Sequence, residues 1–382
     1  MYKEVVRPGL DFLDAHGILD SEDAHNLVKR GLHAAEAHPL TLALLERFFA
    51  DQGKRFAHPC LRVCVGGLEL ENPVMIGAGW DKEGRCVRAL WQVGAAAITV
   101  GTVPEFSQPG NPKKRQFILA PGVALNRLGF NSPGMGVIDH NLKKYQGSGI
   151  PTGVSLGVNK EVVETHPKKA PEAYAAVTEY LYHHAAYFEI DVSSPNTPKL
   201  RQLQSKGPLT DIVQAVNQTM DRLGRRIPLG IKVAPDLTLG AVDDVMETAI
   251  SNQVPLLIVG NTTTSEEIKA RYGERWRHEA GGLSGDDEEF RRMSTVMIAH
   301  IHRQAGQRLD IIGVGGIKDG WTAMEKIMAG AKAVQIVTGL RGEGLSLPGR
   351  INSKLAEWVG MSRGKETIND FVGINAKNLP EP

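Results

Sequence analysis

The stretch Tyr187-Phe188-Glu189-Ile190-Asp191-Val192-Ser193-Ser194-Pro195-Asn196-Thr197-Pro198-Lys199-Leu200-Arg201 decides how the chain folds. Its first residues have the character of a buried strand. Pro195 and Pro198 then end regular structure and stiffen the loop. The break leaves hydroxyls and an amide (Ser193, Ser194, Asn196, Thr197) at the C-terminal end of a strand. In a parallel α/β barrel that end carries the chemistry. Taken alone, the same residues also make a plain polar turn.

The flanking sequence repeats the pattern. Short apolar runs occupy 74–77, 96–100, 153–158, 188–192, 229–233, 256–260, 311–314 and 334–337. Amphipathic segments such as 208–223 and 238–252 lie between most of them. This alternation predicts an α/β fold, a (β/α)8 TIM barrel. An open, doubly wound sheet is the alternative, but eight units in about 270 residues suit closure better. The insert at 103–151 is long and rich in Pro, Gly and Asn, and such loops on a barrel's catalytic face usually bind something. Residues 56–72 predict a hairpin around Gly66-Gly67.

Residues 1–55 lack strand-like runs. Asp20 or Ser21 caps a predicted helix with Ala24, Leu27, Val28, Gly31, Leu32 and Ala35 on one face, and Pro39 interrupts it. A second segment offers Leu40, Leu42, Ala43, Leu44, Leu45, Phe48 and Phe49. The expected organisation is a small N-terminal helical extension, 1–55, on a barrel domain, 56–382. Periodicity alone favours a packed cap over an amphipathic pair touching a membrane or a greasy ligand.

Bulk properties narrow the function. The 382 residues are 42% hydrophobic, enough for one large domain plus an appendage. A net charge of +1 gives no field for nucleic acid. Three cysteines, Cys60, Cys64 and Cys86, argue against a disulfide framework and for a reducing compartment. His58, Cys60 and Cys64 lie close together, but no second ligand cluster completes a zinc pattern, so no metal is expected. No signal peptide is evident, and no apolar run is long enough to span a bilayer.

The strand ends carry the chemistry-bearing residues. The first gives Gly77-Ala78-Gly79-Trp80-Asp81-Lys82, the second Gly101-Thr102, the sixth Gly260-Asn261-Thr262-Thr263-Thr264. The fifth holds Lys232 inside an apolar run. Lysine is rarely buried without a partner. It serves either a structural ion pair or an anion or ring that gains negative charge. Gly315-Gly316 and Thr338-Gly339, after the seventh and eighth strands, stand at the usual phosphate position of such barrels. Gly281-Gly282-Leu283-Ser284-Gly285 adds a mobile or phosphate-facing loop. Asn126-Arg127-Leu128-Gly129-Phe130-Asn131 either grips a small planar polar ligand or makes a surface turn.

In their order and spacing, these motifs resemble the quinone-dependent, membrane-associated (class 2) dihydroorotate dehydrogenases. The resemblance runs from Arg7-Pro8-Gly9-Leu10 to Phe371-Val372-Gly373 and includes Gln108-Pro109-Gly110-Asn111 and Lys232-Val233-Ala234-Pro235-Asp236-Leu237. It implies a (β/α)8 barrel with FMN at its C-terminal face. It also implies oxidation of dihydroorotate to orotate, in pyrimidine (UMP) biosynthesis, with a quinone as electron acceptor. By the same resemblance Ser194 is the catalytic base, and Lys232 the cation beside the flavin. Lys82, Asn126, Arg127, Leu128, Gly129, Phe130, Asp191, Asn196, Asn261 and Thr262 match substrate positions. Ala78, Gly79, Trp80, Asp81, Lys82, Thr102, Ser155, Asp191, Lys232, Gly260, Gly285, Gly315, Gly316, Val337, Thr338 and Gly339 match flavin positions. The extension becomes a membrane-facing quinone tunnel. It implies a peripheral protein on the cytoplasmic face of a bacterial inner membrane, or on an equivalent organellar membrane.

Four residues depart from the family pattern. Asp191 and Ser155 replace asparagines, Gly260 a threonine and Val337 a tyrosine. A carboxylate only accepts hydrogen bonds, where an amide also donates. Asp191 therefore repels an anionic substrate unless it is protonated or paired with a lysine. The alternative expectation is a related flavin oxidoreductase acting on another reduced pyrimidine-like ring. A barrel without redox activity is a third, against which Ser194, Lys232 and Lys82 argue.

Overall fold

A computed structural model describes residues 6–16, 18–50, 58–197 and 199–382. The expected boundary at 55/56 and Pro198 lie outside the described residues.

The hairpin is present as β1 (Val63–Val65) and β2 (Leu68–Leu70), antiparallel. Gly66 and Gly67 turn it at φ of 58° and 86°, the left-handed pair whose twist matches the flanking strands. The remaining strands are β3 (Val74–Ile76), β4 (Ala97–Val103), β5 (Gln116–Ala120), β6 (Val123–Asn126), β7 (Thr152–Leu156), β8 (Tyr187–Asp191), β9 (Leu229–Val233), β10 (Leu256–Val259), β11 (Gly282–Gly285), β12 (Asp310–Val314) and β13 (Ala333–Ile336). β3, β4, β7, β8, β9, β10, β12 and β13 close in that order into a parallel barrel, with β13 pairing back onto β3. Each expected run is one of these strands. They read as continuous apolar runs because helices cover one face and the barrel interior the other. The helices Lys206–Arg222 and Leu239–Ser251 stand where amphipathic segments are expected.

The long insert is not a bare loop. β5 and β6 pair antiparallel, and β11 joins β6 to make a three-stranded sheet. This corrects the expectation for 281–285, which is a strand edge rather than a mobile loop. The glycines serve backbone approach. A Cβ on Gly281 would fall 2.4 Å from the Asn126 carbonyl oxygen, and one on Gly285 2.0 Å from that of Gly122.

The extension forms α1 (Arg7–Ala15), α2 (Ser21–Ala35) and α3 (Pro39–Phe49). Asp20 caps α2, accepting from the Glu22 N–H at 2.8 Å. Pro39 opens α3, where its missing N–H is no loss. The expected apolar face of α2 holds only in part. Ala24 and Leu32 are buried, but Leu27 and Val28 are 60% and 39% exposed. The reason is ionic. Glu22 turns inward to pair with Arg115 at 2.7 Å, and Lys29 pairs with Glu83. In α3, Leu45 is buried while Leu40, Leu44 and Phe48 project outward. Among the described residues no helix is long and apolar enough to cross a membrane.

Candidate active site

A cavity of roughly 280 Å³ opens at the C-terminal ends of the barrel strands and runs out beneath α2. Of the expected residues, Ala78, Gly79, Trp80, Lys82, Thr102, Asn126, Leu128, Gly129, Phe130, Asp191, Ser194, Asn196, Lys232, Asn261, Thr262, Gly285, Gly315, Gly316, Val337, Thr338 and Gly339 line it. Four stand outside its lining, each for a physical reason. Asp81 is fully buried, and its carboxylate accepts from the N–H groups of Arg85 (3.0 Å) and Cys86 (2.8 Å). Arg127 turns away to Glu279 and the Lys114 carbonyl. The Ser155 hydroxyl lies 3.0 Å from that of Thr102 and is screened by it. Gly260 has φ 123°, and a Cβ there would fall 2.4 Å from the Val314 carbonyl oxygen. It lets β10 and β12 approach.

Strand register explains Asp191. β8 pairs with β9 so that Asp191 stands opposite Lys232, both 4% exposed. The Asp191 Oδ1 accepts from the Ser193 N–H (3.0 Å) and hydroxyl (2.8 Å), and Oδ2 from the Thr102 hydroxyl (3.2 Å). Asn261 Nδ2 donates in turn to Ser193 Oγ at 2.8 Å. The carboxylate expected to repel substrate is thus occupied by donors of its own chain, beside a cation.

Ser194 is 6% exposed, and its Oγ accepts from the Asn196 N–H at 3.3 Å. The loop is held from several sides. Asn196 Nδ2 donates to Asn126 Oδ1 at 3.0 Å. The Arg201 guanidinium donates to the Ser193 carbonyl (3.0 Å), to Asp236 (3.0 Å) and to the Thr262 carbonyl (3.3 Å). Yet Asn196 Oδ1, Thr197 Oγ1 and Thr262 Oγ1 are buried without a partner among the described residues. Folded proteins tolerate few such atoms, and Asn196 and Thr262 line the cavity. Lys82 donates to Asn131 Oδ1, and burial lowers its ammonium to about 8, with Glu22 opposing the shift. It remains a cation at neutral pH.

Among the lining residues that the sequence reading misses, two sets stand out. Gln335 of β13 lines the cavity floor and donates to Glu189 and Thr99. From α2, Glu22, His25, Asn26 and Lys29 line the outer part. Their spacing of three, four and seven residues is one helical stripe, a signal legible in the sequence. The His25 Nε2 lies 2.7 Å from the Trp80 carbonyl and must donate to it. Burial lowers the His25 pKa to about 4, so the ring is neutral at neutral pH.

The inner end suits a flavin phosphate. Gly315 and Gly316 turn at φ of 105° and 70° after β12, and the Thr338 hydroxyl lies 2.9 Å from that of Ser284. The donor set is backbone amides, small hydroxyls and one buried ammonium, Lys232, and it fits a phosphate at one end and a ring that gains negative charge at the other.

Comparison with known proteins identifies the family. A family model described as dihydroorotate dehydrogenase matches residues 60–359. A Rhizobium rhizogenes protein named dihydroorotate dehydrogenase (quinone) is 38% identical over 348 residues, covering 88% of this chain and 93% of that one. A Rhodopseudomonas palustris protein of the same name is 36% identical over 367 residues, covering 95% and 94%. The crystal structure of the Eimeria tenella enzyme in complex with ferulenol superposes with a TM-score of 0.81 at 29% identity, covering 93% of this chain and 96% of that one.

Proposed function

The chain belongs to the dihydroorotate dehydrogenase family, and from that premise we propose how its residues divide the work. The protein oxidises dihydroorotate to orotate and passes the electrons to a quinone. The observation that carries this is the convergence of Ser194, Lys232 and Lys82 on one cavity, with Asn196 Oδ1 and Thr262 Oγ1 left for a ligand.

The backbone of Gly315, Gly316 and Gly339 and the Thr338 hydroxyl would hold FMN, which would supply the hydride acceptor. Ser194 Oγ takes the proton from the carbon next to the one that loses hydride. A free serine is a weak base, so the proton must pass on. Thr197 carries a buried hydroxyl with no partner among the described residues for that task. Lys232, buried in the cavity wall, would supply positive charge to a ring that gains negative charge. Lys82, with Asn126, Asn196 and Asn261, orients the anionic substrate. Asp191 fixes Ser193 and Thr102, and through Ser193 it fixes Asn261. Nothing in this arrangement favours another reduced ring, because the Asp191 charge is taken up by the protein.

The N-terminal helices serve the acceptor side. The cavity continues beneath α2, and Phe12, Leu27, Leu40, Leu44 and Phe48 of α1 to α3 are exposed. An apolar, helical surface at a cavity mouth suits contact with a bilayer, on the cytoplasmic side or the organellar equivalent. The test is orotate formation from dihydroorotate with a soluble quinone and no other acceptor. Orotate formation supports the assignment, and its absence from a flavin-loaded protein overturns it.

A further inference from the structure

Beside the main cavity lies a second hollow of roughly 240 Å³. It is lined from α2 by Asn26, Lys29, Arg30 and His33, and from the barrel side by Glu83 and Arg85. Asn26, Lys29 and Glu83 line both hollows, so the Lys29–Glu83 ion pair is part of their shared wall. That pair neutralises itself. Arg30 and Arg85 are exposed, and neither guanidinium has a hydrogen bond or ion pair to a described residue. His33 Nδ1 and Lys144 Nζ both bond the Arg85 carbonyl, at 2.9 and 2.8 Å, and the Lys144 charge is met by Glu36. The hollow therefore faces solvent with two guanidinium groups that no described residue engages by hydrogen bond or ion pair, although Glu83 in its wall feels the Arg85 charge.

The helix that lines it and the next one also carry exposed apolar side chains. Leu27 stands one helical turn before Arg30 and is 60% exposed, and Phe48 of the adjoining α3 is 73% exposed. Free cations beside exposed apolar side chains on short helices form an interfacial signature. We propose that this hollow binds the anionic headgroup of a membrane phospholipid and so holds the adjoining cavity mouth against the bilayer. The proposal rests on the reading that the N-terminal helices meet a membrane. It adds a lipid class, a site, and a reason for the mouth to face the lipid. Guanidinium groups suit the site because their planar fork takes phosphate oxygens in pairs.

Each basic group near an anionic surface is worth about fivefold in partition, so losing both costs about 25-fold. The experiment is co-sedimentation of the flavin-loaded full chain with two kinds of vesicle. One is phosphatidylcholine alone, the other phosphatidylcholine with about one third phosphatidylglycerol. The wild type should prefer the anionic vesicles. Arg30→Gln with Arg85→Gln should lose about 25-fold on them and be unchanged on phosphatidylcholine, with bound flavin confirming the fold. Lys168→Gln, an exposed cation elsewhere, should bind as wild type. Two results would overturn the proposal. One is no anionic preference in the wild type, and the other is an undiminished double variant. Binding to neither vesicle would sink the membrane reading as well, whereas equal binding to both sinks only the headgroup site.

Discussion

Glu189 offers the sharpest stability prediction. It sits on β8 with no exposed surface, below the cavity floor. Its Oε1 accepts from the Thr99 hydroxyl at 3.1 Å and from Gln335, but Oε2 has no partner among the described residues, nor has Gln335 Oε1. Burial raises the Glu189 pKa, and Lys232 is the strongest opposing influence. A raised carboxyl pKa means the folded chain keeps a proton that the unfolded chain releases. Its contribution is present below the unfolded value, 4.5, and is lost as pH rises towards the folded one. Glu189→Gln keeps the acceptor, supplies a neutral donor and cannot ionise. One orphaned buried polar atom costs about 1–3 kcal/mol. The variant should therefore be more stable than wild type by about 1–3 kcal/mol near pH 8 and nearly level with it near pH 5. The gap can open by no more than about 1.4 kcal/mol per pH unit, the limit for one proton. Urea unfolding of the flavin-loaded protein at both pH values measures it. An equal gap at both would show that proton release is not its source. A less stable variant at pH 8 would mean that the ionised carboxylate is needed beside Lys232.

Ser194→Ala should slow flavin reduction by dihydroorotate about 10²- to 10⁴-fold, the usual worth of a positioned base, with flavin still bound; stopped-flow absorbance measures the loss. Lys82 is a cation below about pH 8, so orotate should bind more weakly as pH rises through that value, and Lys82→Gln should flatten the profile in a fluorescence titration. Asp191→Asn should change orotate affinity by less than about threefold, or about 0.7 kcal/mol, because the carboxylate already accepts from Ser193 and Thr102. Tightening of tenfold or more would restore the bare-charge expectation.

The barrel was legible because fully buried parallel strands leave apolar runs, and because each run ends in glycines, hydroxyls or amides that can meet a ligand. Residues whose roles depend on distant partners were not. Asp191 reads as a lone charge until the fold brings Thr102 to it across 89 residues. The outward turn of Leu27 and Val28 follows from the Glu22–Arg115 pair, formed across 93 residues. Glu189 lies in the decisive 187–201 stretch and looks like any strand residue until the closed barrel leaves its Oε2 unpaired. The sheet of β5, β6 and β11 was hidden because β11 is glycine-rich and pairs through backbone approach, while β5 and β6 are short runs inside an insert rich in Pro, Gly and Asn.

The central claim is that Ser194, Lys82 and Lys232 act together on dihydroorotate beside a bound flavin. Anaerobic addition of dihydroorotate to the flavin-loaded protein, followed by visible absorbance, tests it most directly. The arrangement predicts that the oxidised flavin band bleaches as orotate appears in equal amount. A flavin that stays oxidised with dihydroorotate, yet is reduced by dithionite, would contradict it.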